Sequence, residues 1–314
     1  MNSPLFSIVV PVYNEQENIS ELSRRLVSVL DSMCIDNPSA TYEIIYVDDG
    51  STDQSWAIIQ SLHAQDPRIK GIRFSRNFGH HSAITAGLDC AKGEMIVLMD
   101  GDLQDRPEEI PILYARMREG YDLVYGIRKE KKDSALKRLT SYSFWWMINA
   151  FSDISIPRNQ TLLRIFNRRI LEILKNMRER ARFVHGMIAW TGFRVALQEV
   201  EHSPRIHGTS KYNFVRLFRL AFHAITSFST VPLRLSTYLG LVSAGIGFCY
   251  GCYFLYKKLF LGIPVLGYAS IIVAVLFMGG VQLLILGIMG EYLGRVYQEI
   301  QARPIYILRE TLLD

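Results

Sequence analysis

Cysteine is scarce, with four residues in 314, at positions 34, 90, 249 and 252. No disulfide framework is expected, because Cys34 and Cys90 fall in a stretch expected to be cytosolic and Cys249 and Cys252 in one expected to be membrane-embedded. The Cys249-Tyr-Gly-Cys252 spacing is not a redox motif, since the thioredoxin-type reading needs a βαβ context. A secretory signal is also missing: the apolar stretch Phe6 to Val12 is short and lacks a basic flank and a small-residue cleavage site. The large N-terminal part is therefore expected to stay in the cytosol.

The most telling absence is charge. Residues 235–256 and 265–290 contain no Asp, Glu, Lys or Arg. Each run exceeds the roughly 20 apolar residues that cross a bilayer core, so two transmembrane helices are expected, forming a hairpin through Lys257 to Pro264. Arg234, Arg295, Arg303 and Arg309 agree with cytosolic flanks, whereas Lys257 and Lys258 in the connection count against that orientation. These runs hold the excess of a 49% hydrophobic composition. The net charge of +5 is modest, and nucleic acid is not an expected partner. Basic residues crowd into 128–138, 164–182 and 205–219, which suits an anionic membrane surface or lipid head group.

What is present before residue 130 alternates in period. Phe6 to Val12, Glu43 to Val47, Ile69 to Phe74, Met95 to Met99 and Leu123 to Tyr125 are strand-like, with amphipathic stretches such as Asn18 to Met33 and Gln54 to His63 between them. That alternation predicts an α/β domain with a mostly parallel sheet. Past residue 130 the pattern turns helical and basic, and residues 214–229 place Arg216, Arg219 and His223 among Phe and Leu as an interfacial helix would, or as an ordinary amphipathic helix would. Trp145 and Trp146 are expected to anchor a helix at the interface.

Ligands of parallel sheets bind beyond the carboxyl ends of the strands. Three such ends carry polar clusters: Pro11-Val-Tyr13-Asn-Glu15, Asp48-Asp49-Gly-Ser-Thr-Asp53, and Asp100-Gly-Asp102-Leu-Gln104. Asp100 and Asp102 around a tight glycine turn can converge on Mg2+ or Mn2+, with substrate phosphates completing the shell. A donor carrying a pyrophosphate fits. His80 and His81 are adjacent, the wrong spacing for two ligands on one helical face, and are expected to start a helix near the nucleotide pocket.

These three segments resemble the signatures of glycosyltransferase family 2 with its GT-A nucleotide-sugar fold. Arg182 to Arg194 and Gly208-Thr-Ser-Lys-Tyr212, followed by two membrane helices, are similar to the branch that includes bactoprenol glucosyltransferases and dolichol-phosphate mannose synthases. The resemblance implies that Pro11, Tyr13, Glu15 and Asp49 line the nucleotide pocket and that Asp100, Asp102 and Gln104 hold metal and donor phosphates. Asp48 and Asp53 either join the donor contacts or serve turn and N-cap roles before the helix starting near Gln54. Arg205, His207 and Lys211 would cover the donor diphosphate, while Arg128, Lys129 and Arg164 would meet the acceptor phosphate.

In one place the chain departs from that pattern. Leu162-Leu-Arg164-Ile stands where many relatives carry Asp-Phe-Arg-Leu, so only the arginine carries over. A protein base is then in doubt, but a lipid phosphate, with a second pKa near 6, needs none. The expected organisation is a GT-A core over 1–130, an acceptor-side part over 131–213, the interfacial helix over 214–234, the hairpin over 235–291 and a cytosolic tail over 292–314. The expected activity is inverting transfer of a hexose, with glucose from UDP-glucose favoured, to undecaprenyl phosphate at the inner (cytoplasmic) membrane. The product would be a lipid-linked sugar for cell-surface glycosylation such as cell wall or O-antigen modification. Homo-oligomerisation is left open. A processive polysaccharide synthase would need a Gln-x-x-Arg-Trp motif and more membrane helices, and neither is in the sequence. A non-catalytic lipid-binding or export subunit would not need Asp100, Asp102 and Gln104.

Overall fold

The computed structural model describes residues 4–35, 40–128, 160–180, 182–201, 231–260 and 267–313. The chain divides into two compact units, Met1–Trp146 with Ile154–Asn213 and Arg303–Asp314, and Met147–Asp153 with Phe214–Ala302. Lys129, Arg205, His207 and Lys211, the two adjacent tryptophans, and the interfacial helix up to residue 230 lie outside the described residues.

The first unit is built on an eight-stranded sheet. Its strands are β1 (Phe6–Val12), β2 (Tyr42–Asp48), β3 (Ile69–Phe74), β4 (Met95–Leu98), β5 (Leu123–Arg128), β6 (Gln160–Asn167), β7 (Val195–Val200) and β8 (Leu308–Leu312). Their order is β7-β5-β6-β4-β1-β2-β3-β8. The central ladders β4-β1-β2-β3 are parallel, as is β5-β7, while β6 runs antiparallel to both β4 and β5. β1 and β2 are buried at every position, as strands covered on both faces must be.

Helices cover both faces: α1 (Ile19–Cys34), α2 (Ser55–Gln65) and α4 (Ile110–Arg118) on one, α3 (His80–Cys90), α5 (Arg168–Asn176) and α6 (Val184–Trp190) on the other. α1 buries Ile19, Leu22, Leu26 and Leu30, a helical stripe that meets Ile8, Val10, Val97 and Ile165 in the core. The opposite face admits α3 closely because Gly87 has no side chain. A Cβ there would lie 2.3 Å from Val9 Cγ1.

Two strands, β6 and β7, lie in the region read as helical and basic. β6 alternates Leu163 and Ile165 toward the α1 core with Leu162, Arg164 and Phe166 toward the other face. Both of its faces are covered, so no period-2 pattern of apolar and polar residues marks it. The residues expected as a tail, 292–314, comprise the last turns of a helix and the edge strand β8. β8 pairs antiparallel with β3. Glu310 accepts hydrogen bonds from Trp56 Nε1 (2.9 Å) and Arg73 Nη1 (3.3 Å), and Tyr306 donates to Asp89 Oδ2 (2.8 Å) while stacking on Phe74.

The second unit contributes α7 (Val231–Phe260) and α8 (Tyr268–Gln301), each long and apolar enough to cross a membrane. Gly240 on α7 approaches Ile285 on α8. Leu241, Phe248, Leu276 and Leu283 are exposed, a surface suited to lipid rather than water.

Replacing Glu310 with Ala should destabilise the first unit by about 1–3 kcal/mol, because the buried Trp56 N–H loses its acceptor. Denaturant unfolding of the full chain in detergent, followed by tryptophan fluorescence, measures this. An unchanged midpoint would mean that β8 does not stabilise the sheet edge.

Candidate active site

Because β1, β2 and β4 run parallel, their C-terminal ends share one edge of the sheet. A cavity of about 270 Å³ opens there, lined by Pro11 at the end of β1 with Tyr13 and Glu15 after it, Asp49 after β2, Asn77 and Gly79 before α3 with His80 at its start, and Asp100 and Asp102 after β4. The three polar clusters picked out in the sequence thus meet in one cleft.

The turns are laced together by their own side chains. Asn14, in a left-handed conformation, receives Thr52 N on its Oδ1 (2.9 Å) and donates its own N–H to Ser51 Oγ (2.9 Å), while Glu15 N donates to Ser55 Oγ (3.0 Å). Asp53 Oδ1 accepts Ser55 N (3.0 Å) at the start of α2, the turn alternative of the two that the sequence left open. Asp49 accepts from Phe78 N (2.7 Å) and Gly79 N (2.9 Å), so its carboxylate holds the entrance to α3. Burial pushes the Asp49 carboxyl above its ordinary value, opposed by those backbone bonds.

Asp48, which the sequence left between donor contact and turn, takes the turn role. It is fully buried, accepts Ser51 N on Oδ1 (2.9 Å) and faces Arg73 Nε at 3.4 Å, outside the cavity lining.

After β4 the backbone turns tightly. A Cβ on Gly101 would lie 2.7 Å from Val12 Cγ1, and Leu103 has a positive φ of 60°. Asp102 Oδ1 receives Gln104 N (3.1 Å), and Asp105 Oδ2 receives Leu163 N (3.0 Å), tying the turn to β6. Gln104 is not among the cavity-lining residues. Among the described residues no cluster of three or more His, Cys, Asp or Glu could hold a metal. Asp100 keeps 40% of its side chain exposed beside Asp102. Two carboxylates in an open cleft suit a hard cation that shares its shell with phosphate oxygens and water, so the donor set fits Mg2+ or Mn2+.

The description "Glycosyl transferase family 2" matches residues 7–195, and "GtrB C-terminal hairpin" matches residues 231–296. The chain belongs to glycosyltransferase family 2. Its relatives match it along nearly their whole length. A bactoprenol glucosyl transferase of Shigella phage SfII is 39% identical over 97% of this chain and 97% of its own. An uncharacterized glycosyltransferase of Synechocystis is 41% identical over 97% of this chain and 94% of that one. An undecaprenyl-phosphate 4-deoxy-4-formamido-L-arabinose transferase of Shewanella sediminis is 35% identical over 99% and 94%. The family-2 domain has a GT-A-like α/β fold with a mostly parallel sheet.

The two arginines assigned to the acceptor differ in setting. Arg128 ends β5 and is exposed, whereas Arg164 is fully buried on β6. Among the described residues Arg164 donates to the carbonyls of Leu162 (3.0 Å) and Thr161 (2.8 Å) alone, lies 5.0 Å from the centre of the Tyr125 ring, and leaves Nη1 without a partner. Leu162, where many relatives carry the acid, is also buried and offers no counter-charge. His80 Nε2 stands 3.8 Å from Asp100 Oδ1. Desolvation in the cleft, reinforced by Arg164, holds this imidazole below its ordinary pKa and hence neutral at pH 7.

Sequence reading quoted Asn14 and His185 within motifs without giving either a role, and it missed Ser55 and Asp105, whose roles are hydrogen bonds to distant backbone, and Tyr125, which carries no motif. A Gly50→Ala substitution tests the lacing of the turns. Gly50 has φ +71°, and a Cβ would lie 2.5 Å from the backbone carbon of Arg76. The left-handed strain and the clash together should cost about 2–4 kcal/mol. Chemical denaturation should show that loss, and calorimetry should show weakened nucleotide binding. A fully stable variant would refute the tight approach of the two turns.

Proposed function

We propose that this family-2 enzyme transfers a hexose from a nucleotide-sugar, UDP-glucose by preference, to the phosphate of a polyisoprenyl lipid, with inversion at the anomeric carbon. The observation that carries this reading is the full-length correspondence with relatives named for bactoprenol and undecaprenyl-phosphate sugar transfer, hairpin included. The cleft supplies the chemistry. Pro11, Tyr13, Glu15 and Asp49 border the nucleotide. Asp100 and Asp102 would hold Mg2+ or Mn2+, which supplies positive charge to the departing diphosphate. Gln104, Arg205, His207 and Lys211 complete the donor side.

The acceptor needs little activation. A phosphate monoester is largely dianionic above its second pKa of about 6, so its oxygen is already a nucleophile. It attacks the anomeric carbon as the bond to the donor's β-phosphate oxygen breaks, and no proton moves. The task of the protein is to hold two anions in line against their repulsion. Arg128, Lys129 and Arg164 serve that end, each able to contribute about 1.5–3 kcal/mol through charge-assisted hydrogen bonds. Leu162 in the acidic position agrees with a reaction that uses no protein base. The helix pair keeps the enzyme in the cytoplasmic membrane, with the first unit cytosolic, where the lipid acceptor resides.

Asp100→Asn or Asp102→Asn should lower transfer by at least on the order of 10²–10³-fold without unfolding the protein. Full activity of either variant in chelator would sink the metal assignment. With an α-linked donor, NMR of the product should show a β-linked lipid phosphate, and retention would exclude single displacement. The rate should fall as pH drops through about 6, because the acceptor dianion gains a proton below that value. Cysteine-accessibility mapping should place residues 1 and 314 on one side of the membrane and Gly262 on the other; termini on opposite faces would mean that one helix does not span.

A further inference from the structure

Apart from Arg164, the charged groups buried in the sheet have partners of opposite charge. Glu43 receives Lys70 Nζ at 2.7 Å, and Asp48 faces Arg73. Arg164, with none of its surface exposed, makes no ion pair among the described residues. An unpaired buried charge costs several kcal/mol, and buried polar atoms are nearly always hydrogen-bonded.

Arg164 is not alone in this. Leu98, Arg164 and Tyr125 form one row across β4, β6 and β5, on the sheet face that α3 and α5 cover and that α6 adjoins through them. Among the described residues Tyr125 OH is buried without a partner, and so are Nδ1 of His81 on α3 and Nδ1 of His185 on α6. The two imidazoles meet edge to face at 5.5 Å, and the Arg164 charge reaches both. Four groups, each with an atom left unpartnered among the described residues, thus gather on one face of the sheet: a guanidinium, a phenol and two imidazoles. All can donate, and one carries permanent charge.

Strand order adds a direction. The nucleotide-lining turns follow β1 and β2, on one side of β4, whereas β6 and β5 lie on the other. Arg164 pairs with Leu98, two residues before Asp100, and feels the charge of the buried Asp105 and, more weakly, that of Asp100. An anion held by this group would stand across Asp100 from the nucleotide, the side from which an in-line attack on the anomeric carbon must come.

We propose that Arg164, Tyr125, His81 and His185 form an anion subsite for a phosphate monoester, and that its occupant is the phosphate of the lipid acceptor. The assignment rests on the reaction proposed above and adds to it three side chains that bind the nucleophile.

The test uses the full chain in detergent, with farnesyl phosphate, farnesol, inorganic phosphate and UDP as probes of thermal unfolding. Tyr125→Phe and His185→Phe keep size while removing a donor, and His185→Asn restores an N–H near the Nδ1 position. Farnesyl phosphate, but not farnesol, should raise the melting temperature of the wild type. Both Phe variants should need about tenfold more of it, with His185→Asn recovering most of the loss and the UDP response unchanged. Equal farnesyl phosphate dependence in wild type and Phe variants would overturn the subsite. Loss of the UDP response alone would assign these groups to the donor, and protection by inorganic phosphate but not by farnesyl phosphate would remove the lipid from the proposal; either overturns it. Farnesyl phosphate binding that depends on these residues, without sugar transfer to polyprenyl phosphate by the wild type, would refute the reaction and leave the subsite standing. Transfer by the wild type with an unchanged acceptor KM in both Phe variants would do the reverse.

Discussion

The cleft depends on the parallel hydrogen-bond ladder joining β4 to β1 and β1 to β2. Parallel strands end on the same side, so turns more than 80 residues apart in the chain, after Val12 and after Leu98, face each other across one opening. An antiparallel neighbour in place of β1 or β4 would send one polar turn to the opposite edge. Each turn then secures the next by side chain to backbone: Asn14 with Thr52, Asp49 with Gly79, Asp105 with Leu163. These bonds join segments that strand pairing alone would leave loose, which is how loops can hold carboxylates in a fixed arrangement.

The same fold treats buried charge in two ways. Around β2 and β3 carboxylates meet cations, as Glu43 meets Lys70 and Asp48 meets Arg73, and the arrangement is structural. Around β6 a guanidinium is enclosed with no ion pair among the described residues, only the longer-range charges of Asp105 and Asp100, and the imidazoles near it are held neutral by burial and by its charge, His81 down at about 4. Neutral imidazoles spare the site further cationic repulsion while leaving N–H groups to offer. Stability alone does not favour such a cluster. Its location near Asp100 gives the cost a functional context under the proposed reaction, which joins two anions and needs positive potential on both sides of the reacting carbon.

The first unit is discontinuous in sequence. The chain leaves it for the helix pair and returns at Arg303 to supply β8. An edge strand from the last residues covers the β3 edge, whose free N–H and C=O groups would otherwise be open to pairing with another chain. The Glu310 carboxylate couples that strand to Trp56 of α2 and Arg73 of β3, so the two ends of the polypeptide contribute to one sheet.

Local pattern was enough for much of this protein. The strands β1 to β5, the helices between them and the two long apolar helices are all written in periodicity or composition, because each depends on which face of a segment is buried or on how far an apolar run extends. The motifs around Tyr13, Asp49 and Asp100 also declared themselves, since chemistry at strand ends needs particular residue types at close spacing. Tertiary structure decided the rest. β6, with both faces covered, and β8, only five residues at a sheet edge, give no periodic signal; their partners are set by the sheet order. Asp48 and Asp49 are neighbours of identical type, yet strand alternation turns one into a buried turn and leaves the other at the cleft. Arg164, Tyr125, His81 and His185 come from four separate elements, and only the packing of α3 and α6 on one side of the sheet makes them a group. Local sequence can specify which face of a segment is buried, but not which distant side chain will be buried beside it.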